Sequence, residues 1–149
     1  VLAQFSGLPH RLQRVATIGG VEFYDDSKGT NVGAVASSLR HFDKPVVLIA
    51  GGRDKDSDFT LLTSLIRERV KALVLLGETQ ERLARAWNSA APAYLAADLA
   101  EAVAAAKDLA RPGEVVLLSP ACASFDMFRD YAHRGETFQR LVRGLEHGE

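Results

Sequence analysis

Three short apolar runs constrain the fold of this chain more than any other feature of its sequence. Residues 46–50, 72–76 and 115–118 are apolar at every position. Strands that are apolar on both faces belong to a parallel sheet covered by helices, and a bilayer span needs ~20 such residues. The chain has 149 residues, and domains commonly have about 100–150. The sequence therefore predicts one domain built on a covered parallel sheet.

The segments between these runs carry helical and hairpin patterns. Apolar stripes at helical spacing are formed by Val32, Val35, Ala36 and Leu39; by Leu61, Leu62, Leu65, Ile66 and Val70; by Leu83 and Trp87; by Val103, Ala106 and Leu109, after a capping-box pattern at Asp98 and Glu101; and by Phe138, Leu141 and Leu145. A weaker strand is predicted at 93–95. Gly19-Gly20 joins the alternating segments 15–18 and 21–24, which predicts a hairpin. The pattern predicts an α/β fold, a Rossmann-like doubly wound, mostly parallel sheet with an N-terminal β-hairpin and helices on both faces.

Charge and cysteine content narrow the classes of partner. The chain has 18 basic and 19 acidic side chains, a net charge of −1. This balance gives no positive excess for nucleic acid, and no run is long enough to span a membrane. The single cysteine, Cys122, cannot form an internal disulfide, which favours a reducing, cytoplasmic location. We therefore expect neither nucleic acid nor a membrane as a partner.

Ligands of doubly wound sheets bind beyond the carboxyl ends of the strands, which directs attention to three loops. The first, 25–31, leads into a helix and contains Lys28, Gly29 and Thr30. Free amides at a helix N-terminus attract anions, and Lys28 adds a full positive charge. The plain alternative is a capped helix start, with Ser27 or Thr30 as the cap.

The second and third loops carry further polar groups. In the second, 51–59, two glycines permit a tight turn before Lys55; the alternative is a solvated turn whose charges neutralise one another. In the third, 119–128, Ser124 can hydrogen-bond a carboxylate. Cys122 is interpreted as a small buried residue and not as a nucleophile, because no histidine lies near it in the sequence.

Several common sites are excluded by spacing. No segment has the Gly-x-x-x-x-Gly-Lys-Ser/Thr phosphate loop or the Gly-x-Gly-x-x-Gly dinucleotide fingerprint. The four histidines do not pair at metal-ligand spacing. Asp25 and Asp26 are paired acids of the kind found in receiver domains, but the other positions that a receiver needs hold Gly77 and Ser119 here, so that interpretation fails.

Taken together, the loops resemble a known family. Asp-Ser-Lys-Gly-Thr-Asn at 26–31, Gly-Gly-x-Asp-Lys at 51–55, Leu-Ser-Pro-Ala-Cys-Ala-Ser-Phe-Asp at 118–126 and Arg-Gly at 134–135 resemble the C-terminal domain of Mur ligases, most closely the members that add D-glutamate. The resemblance implies that residues 1–12 are a hinge segment from a missing central ATPase domain and that residues 13–149 form the C-terminal domain. The start at Val1 is then expected to be the cut edge of a larger enzyme.

The resemblance also implies an activity. Such enzymes use ATP and Mg²⁺ to join D-glutamate to UDP-N-acetylmuramoyl-L-alanine through an acyl phosphate, in peptidoglycan precursor synthesis. The central domain is expected to hold the metal ligands, so no metal is expected on this chain, and the chain alone is expected to be inactive. Two alternatives stay open, a sister amide ligase of the Mur and folylpolyglutamate synthase superfamily and a stand-alone binding module.

Individual residues receive roles from the same resemblance. The residues implied for D-glutamate are Thr30, Lys55, Ser124, Phe125 and Tyr131. Those implied for the nucleotide are His10, Arg11, Asp26 and Lys28, with Lys28 also the catalytic candidate near the transferring phosphoryl group. Tyr131 stands where phenylalanine is often found in the family, so it adds a hydroxyl to the pocket wall.

Overall fold

A computed structural model describes residues 8–54, 56–124 and 127–146 of the chain. Its centre is a sheet with the strand order β1-β2-β6-β3-β4-β5. The strands are β1 (Gln13–Ile18), β2 (Val21–Asp25), β3 (Val46–Gly51), β4 (Val70–Leu76), β5 (Ala93–Leu95) and β6 (Val115–Leu118). Only the β1–β2 pair is antiparallel; the other four pairings are parallel. The predicted N-terminal hairpin and mostly parallel sheet are confirmed.

The helices cover both faces of this sheet. They are α1 (Val32–His41), α2 (Thr63–Arg69), α3 (Gln80–Trp87), α4 (Leu99–Leu109) and α5 (Tyr131–Glu146), and a 3-10 helix precedes α2 at Phe59–Leu62. Alternate residues of β3 point into two cores: Leu48 packs with the side chains of α1 to α3, and Ile49 packs with those of α4 and α5. The fully apolar runs are therefore strands buried on both sides, as predicted.

Local details correct two of the predictions. The cap of α1 is Asn31, whose side chain accepts a hydrogen bond from the Ala34 amide at 2.9 Å, and not Ser27 or Thr30. Those two residues lie in the loop before the cap, where the chain has not yet entered the helix. The stripe from Leu61 to Val70 is not one helix, because Leu61 and Leu62 belong to the 3-10 helix and Val70 already belongs to β4. Leu61 is also not part of the buried face, since it is 72% exposed.

The capping pattern at the start of α4 is confirmed. Asp98 accepts a hydrogen bond from the Glu101 amide at 2.8 Å, and the Glu101 carboxylate accepts one from the Ala97 amide at 3.1 Å. The returning bond reaches the residue before the cap, where a standard capping box would bond the cap itself. These two bonds define the residue at which α4 begins.

The end of β3 depends on a glycine. Gly51 has a φ of +130°, and a Cβ there would lie 1.8 Å from the Leu76 carbonyl oxygen of the neighbouring strand. Gly113 also has a positive φ, +91°, but faces open space. A side chain would strain the backbone at both positions, but only at Gly51 would it also clash with a neighbouring strand.

We expect Gly51→Ala to lower the free energy of unfolding by at least about 3 kcal/mol, because backbone strain and a steric clash with β4 combine. Gly113→Ala has the strain alone and should lose about 1–2 kcal/mol. Urea denaturation of the two variants measures the difference. Equal losses would show that close approach to Leu76 does not determine the end of β3.

Candidate functional site

Three loops meet at one edge of the sheet. The three loops predicted from the sequence have slightly different bounds in the structure. The first loop is now 26–31 and follows β2, the second is 52–58 and follows β3, and the third is 119–130 and follows β6. These strands are neighbours in the order β2-β6-β3 and run parallel, so their carboxyl ends lie side by side. The sequence prediction that these segments gather at one edge is confirmed, although Lys55, Phe125 and Asp126 lie outside the described residues.

One buried carboxylate organises the first loop. Asp26 is 2% exposed. Its Oδ2 accepts hydrogen bonds from the hydroxyls of Ser38 (2.5 Å) and Ser119 (2.7 Å), and its Oδ1 accepts one from the Leu12 amide at 3.0 Å. Burial raises the pKa of the Asp26 carboxyl above its ordinary value, and the neighbouring charge of Asp25 adds to that rise; the three donors act in the opposite direction. Asp26 thereby joins the segment before β1, helix α1 and the third loop.

Backbone bonds join the second loop to the third. Arg53 and Ala123 form an isolated antiparallel bridge, with both N–H···O distances at 2.9 Å. The Gly51 amide also donates to the Pro120 carbonyl at 3.0 Å. The bridge places Arg53 beside Ala123, the residue before Ser124, and Ser124 is 2% exposed. The two loops act as one unit rather than as independent turns.

The second loop is stabilised from within at Asp54. Its carboxylate accepts hydrogen bonds from the Ser57 hydroxyl (2.5 Å) and amide (3.0 Å), and from Arg82 of α3 at 2.9 Å. Burial alone would raise the pKa of Asp54, but the Ser57 donors and Arg82 outweigh it and lower that pKa. The interpretation of this loop as a solvated turn is therefore incomplete, because one of its acidic residues, Asp54, is committed to an internal network.

Arg134 on α5 links the first and third loops. It is 3% exposed. Its guanidinium donates to the Ser27 hydroxyl (2.9 Å), the Ser27 carbonyl (2.8 Å) and the Cys122 carbonyl (3.1 Å). Sequence reasoning used Arg134 only as part of a motif and assigned it no role. The signal that could have found it is a charged residue within the apolar stripe of a helix.

Lys28 lies on the ring of Tyr131. Its Nζ is 4.5 Å from the ring centroid and donates to the tyrosine hydroxyl at 3.3 Å. Among the described residues, no carboxylate forms an ion pair with Lys28. A cation positioned by an aromatic ring and not neutralised by an acid remains available to an anionic ligand. The hydroxyl that sequence analysis expected at Tyr131 is the group that holds this lysine.

The remaining predicted residues lie around these loops. His10 is buried, and its carbonyl accepts from the Lys28 amide at 3.0 Å. Thr30 is half-buried on the first loop, while Arg11 is exposed on the segment before β1. Cys122 is 1% exposed, as predicted for a small buried residue, with its sulfur 3.4 Å from the Thr79 hydroxyl. The structure thus brings His10, Lys28 and Tyr131 together at one place.

A surface groove lies elsewhere. It has a volume of about 470 Å³ and is formed around the amino ends of β3 and β4, by Asp43, Lys44, Pro45, Glu68, Arg69, Val70 and Lys71. Its three basic groups are paired with acids, Lys71 with Glu114 at 2.8 Å, Arg69 with Glu68 at 3.1 Å and Lys44 with Glu22 at 3.6 Å. Ligands of parallel sheets bind at the opposite edge, so the three loops remain the candidate site.

Metal clusters and membrane spans are two further features for which the described residues give an answer. No group of three or more His, Cys, Asp or Glu side chains in the described ranges is arranged to hold a metal ion. Within those same ranges no helix is both long enough and apolar enough to cross a membrane.

Solved structures share this architecture. A UDP-N-acetylmuramate-alanine ligase from Thermotoga maritima matches 97% of the chain with a TM-score of 0.63 and 16% identity, over 32% of its own length. A domain of a Haemophilus ducreyi Mur-type ligase matches 91% of the chain and 99% of its own, with a TM-score of 0.62 and 15% identity. At these identities the likeness shows the fold alone, a Rossmann-like α/β domain.

The sequence defines the family. The chain matches the family described as "Mur ligase, glutamate ligase domain" over residues 10–122, so it belongs to that family. It is 52% identical over 147 residues to a UDP-N-acetylmuramoylalanine–D-glutamate ligase of Geotalea uraniireducens. It is also 52% identical over 144 residues to the ligase of that name from Syntrophus aciditrophicus. The chain spans about a third (32%) of the length of each of these relatives.

The environment of Asp26 is open to a direct test. We expect Ser119→Ala to raise the pKa of Asp26 further, because it removes a donor that stabilises the charged form. A carboxylate whose folded-state pKa is raised costs stability when ionised. The contribution of Asp26 to stability therefore improves as the pH falls through its folded-state pKa.

Carboxyl ¹³C NMR titration of the wild-type chain and the variant measures this shift. Ser57→Ala is the matched control: it removes a hydroxyl donor from Asp54, so it should raise the pKa of Asp54 and leave that of Asp26 in place. A fall in the Asp26 pKa after Ser119→Ala would contradict the hydrogen-bonding arrangement described for the first loop.

Proposed function

We propose that this chain is the amino-acid-binding domain of an ATP-dependent ligase that joins D-glutamate to UDP-N-acetylmuramoyl-L-alanine. The observation that carries the proposal is the meeting of three polar loops at one sheet edge, with Lys28 free of acidic partners among the described residues. The names of the relatives at 52% identity support the choice of substrates.

The second and third loops are proposed to bind D-glutamate. This amino acid has two carboxylates, which call for cations and hydroxyl donors. We assign that work to Lys55, Thr30 and Ser124, with Phe125 contributing its backbone and Tyr131 lining the pocket. The Arg53–Ala123 bridge supports this assignment, because it joins the second loop two residues before Lys55 to the third loop one residue before Ser124. Each charge-assisted hydrogen bond contributes about 1.5–3 kcal/mol.

The first loop and the segment before β1 are proposed to meet the nucleotide. Lys28 would stabilise negative charge on the transferring phosphoryl group, with His10 and Arg11 beside it. Asp26 is proposed to accept a ribose hydroxyl. A carboxylate offers about four lone-pair sites, and protein donors use three of them here, so one lone pair is unused, on a residue that is only 2% exposed.

The reaction proposed for the whole enzyme proceeds by carboxylate activation. ATP transfers its γ-phosphoryl group to the alanyl carboxylate, giving an acyl phosphate. The D-glutamate nitrogen then attacks the acyl carbon, the tetrahedral intermediate breaks its carbon–oxygen bond to phosphate, and the amine loses a proton. The residues of this chain contribute by binding and orienting the amine and by stabilising charge. Mg²⁺, when bound, neutralises phosphate charge; the described residues offer no ligand set for it, and we place its ligands on the central domain.

The domain arrangement follows from the same proposal. Residues 1–12 are proposed as the hinge from a central ATPase domain, and residues 13–149 as the C-terminal domain. The partners are then the central and N-terminal domains of the same enzyme, located in the cytoplasm with its nucleotide substrates. On this proposal the chain alone binds one substrate and completes no ligation.

Lys55→Ala tests the proposed amino-acid site. In the whole enzyme we expect this substitution to lower kcat/KM for D-glutamate by about 100-fold, the scale of losing a preorganised charge contact. Lys107→Ala is the matched control, since Lys107 is exposed on α4, and it should leave the kinetics unchanged. Unaltered kcat/KM in Lys55→Ala would remove this lysine from the site.

A further inference from the structure

A buried histidine–aspartate pair lies beside the proposed nucleotide loop. The Nδ1 atom of His10 is 2.6 Å from Oδ2 of Asp25, and their side chains are 11% and 0% exposed. Asp25 is the last residue of β2, and His10 precedes β1. Sequence analysis considered Asp25 only as one of two paired acids and assigned it no role.

We propose that Asp25 is a positioning residue that fixes the tautomer of His10. The carboxylate can only accept hydrogen bonds in its ionised form, so a neutral His10 must carry its proton on Nδ1 and donate it to Asp25. The other ring nitrogen, Nε2, is then a hydrogen-bond acceptor. The value of this arrangement to nucleotide binding rests on the proposed function, whereas the tautomer itself does not.

The other contacts of Asp25 fix the direction of its carboxylate. Oδ1 accepts from the Ser27 amide at 2.9 Å, and Oδ2 accepts from Gln139 Nε2 at 2.8 Å as well as from His10. Gln139 is itself oriented, because its Oε1 accepts from Arg143 at 3.0 Å. The Ser27 backbone amide can only donate, so the Asp25 oxygen that it contacts, Oδ1, must be an acceptor. The other oxygen, Oδ2, is then the one that faces His10.

The backbone of His10 is fixed from several sides. Its φ is +66°, an uncommon value for a residue other than glycine. Its amide donates to the Gln13 side chain at 3.0 Å, and its carbonyl accepts from the Lys28 amide at 3.0 Å. Gly135 allows the pair to pack, since a Cβ there would lie 2.3 Å from His10 Nδ1. The imidazole ring is therefore held in one place.

The position of Nε2 indicates what it can bind. Among the described residues, Nε2 has no hydrogen-bond partner, and no fully buried side-chain nitrogen or oxygen in those ranges lacks one. Nε2 is therefore the ring atom that can reach a ligand. The His10 ring packs edge-on against Tyr131 at 6.1 Å, next to Lys28. Its lone pair fits a hydroxyl or amino hydrogen of the nucleotide whose phosphates Lys28 is proposed to meet.

Asp25→Asn, in a chain that also carries Gln139→Leu, is expected to reverse the tautomer. With the Gln139 donor removed, the Ser27 amide is the fixed donor left at this side chain, so the asparagine oxygen stays on the Ser27 amide and the NH₂ group faces His10. A donor at that position requires Nδ1 to accept, so the proton moves to Nε2, and the atom that faces the ligand changes from acceptor to donor. Gln139→Leu is the matched control: it removes another donor to the same Asp25 oxygen but leaves the contact with His10, so it should keep the wild-type tautomer.

Nitrogen-15 NMR of the imidazole rings in the 149-residue chain, recorded at alkaline pH, tests this inference. We expect the proton on Nδ1 in the wild type and in Gln139→Leu, and on Nε2 in the double variant Asp25→Asn/Gln139→Leu. A wild-type proton on Nε2 overturns the inference without any variant. Retention of the Nδ1 proton in a folded double variant overturns it as well.

Kinetics of the whole enzyme give a second reading. Relative to Gln139→Leu alone, the double variant Asp25→Asn/Gln139→Leu should raise KM for ATP by about three- to tenfold, the scale of one hydrogen bond, and leave KM for the amino acid within about twofold. Equal changes in both KM values would overturn the positioning role. If the wild-type enzyme has no ATP-dependent ligase activity, the proposed function falls, while the tautomer measurement on the chain alone still decides the inference about Asp25.

Discussion

The arrangement of the site depends on the buried carboxylate of Asp26. Three segments distant in sequence donate to it: the Leu12 amide before β1, the Ser38 hydroxyl of α1 and the Ser119 hydroxyl after β6. A carboxylate held by neutral donors tolerates burial, but its raised pKa records the remaining cost of desolvation. This desolvation cost is incurred where Asp26 connects the first loop to Ser119 of the third loop.

The charges around this edge are divided between structural and available groups. Arg134 is committed to Ser27 and Cys122, and Arg82 supports Asp54 in the second loop. Lys28, by contrast, rests on Tyr131 and has no carboxylate partner among the described residues. Committed cations shape the loops, and an uncommitted cation is what an anionic substrate requires. This division is the physical basis for assigning a phosphate or carboxylate ligand to the site.

The sequence predicted the architecture well because its signals are local. Fully apolar runs identified the buried strands, Gly19-Gly20 identified the hairpin, and Asp98 with Glu101 identified the start of α4. The placement of β6 between β2 and β3 could not be derived from such patterns, because strand order depends on packing between distant segments. Local signals also failed at the cap of α1, where Ser27, Thr30 and Asn31 were equivalent by residue type.

The site was predicted less completely than the fold. The three loops follow from motifs and from the position of the strand ends. The contacts that organise them do not. Tyr131 was implied for D-glutamate, yet its ring lies against Lys28 and His10. Asp25 meets His10 once the β1–β2 hairpin has formed, and Arg134 meets Ser27 once α5 packs beside β2. Sequence spacing carries no information about such pairs, and a buried arginine in a helix shows its role only through the carbonyls that it reaches.

The central claim is that these loops select D-glutamate, and its most direct measurement is the amino-acid preference of the whole enzyme. Ligation of UDP-N-acetylmuramoyl-L-alanine would be followed with D-glutamate, L-glutamate, D-glutamine and D-aspartate. The account predicts the highest kcat/KM for D-glutamate, and for D-glutamine a value lower by about ten- to a hundredfold, because one charge-assisted hydrogen bond is lost. A higher kcat/KM for any other amino acid would contradict it.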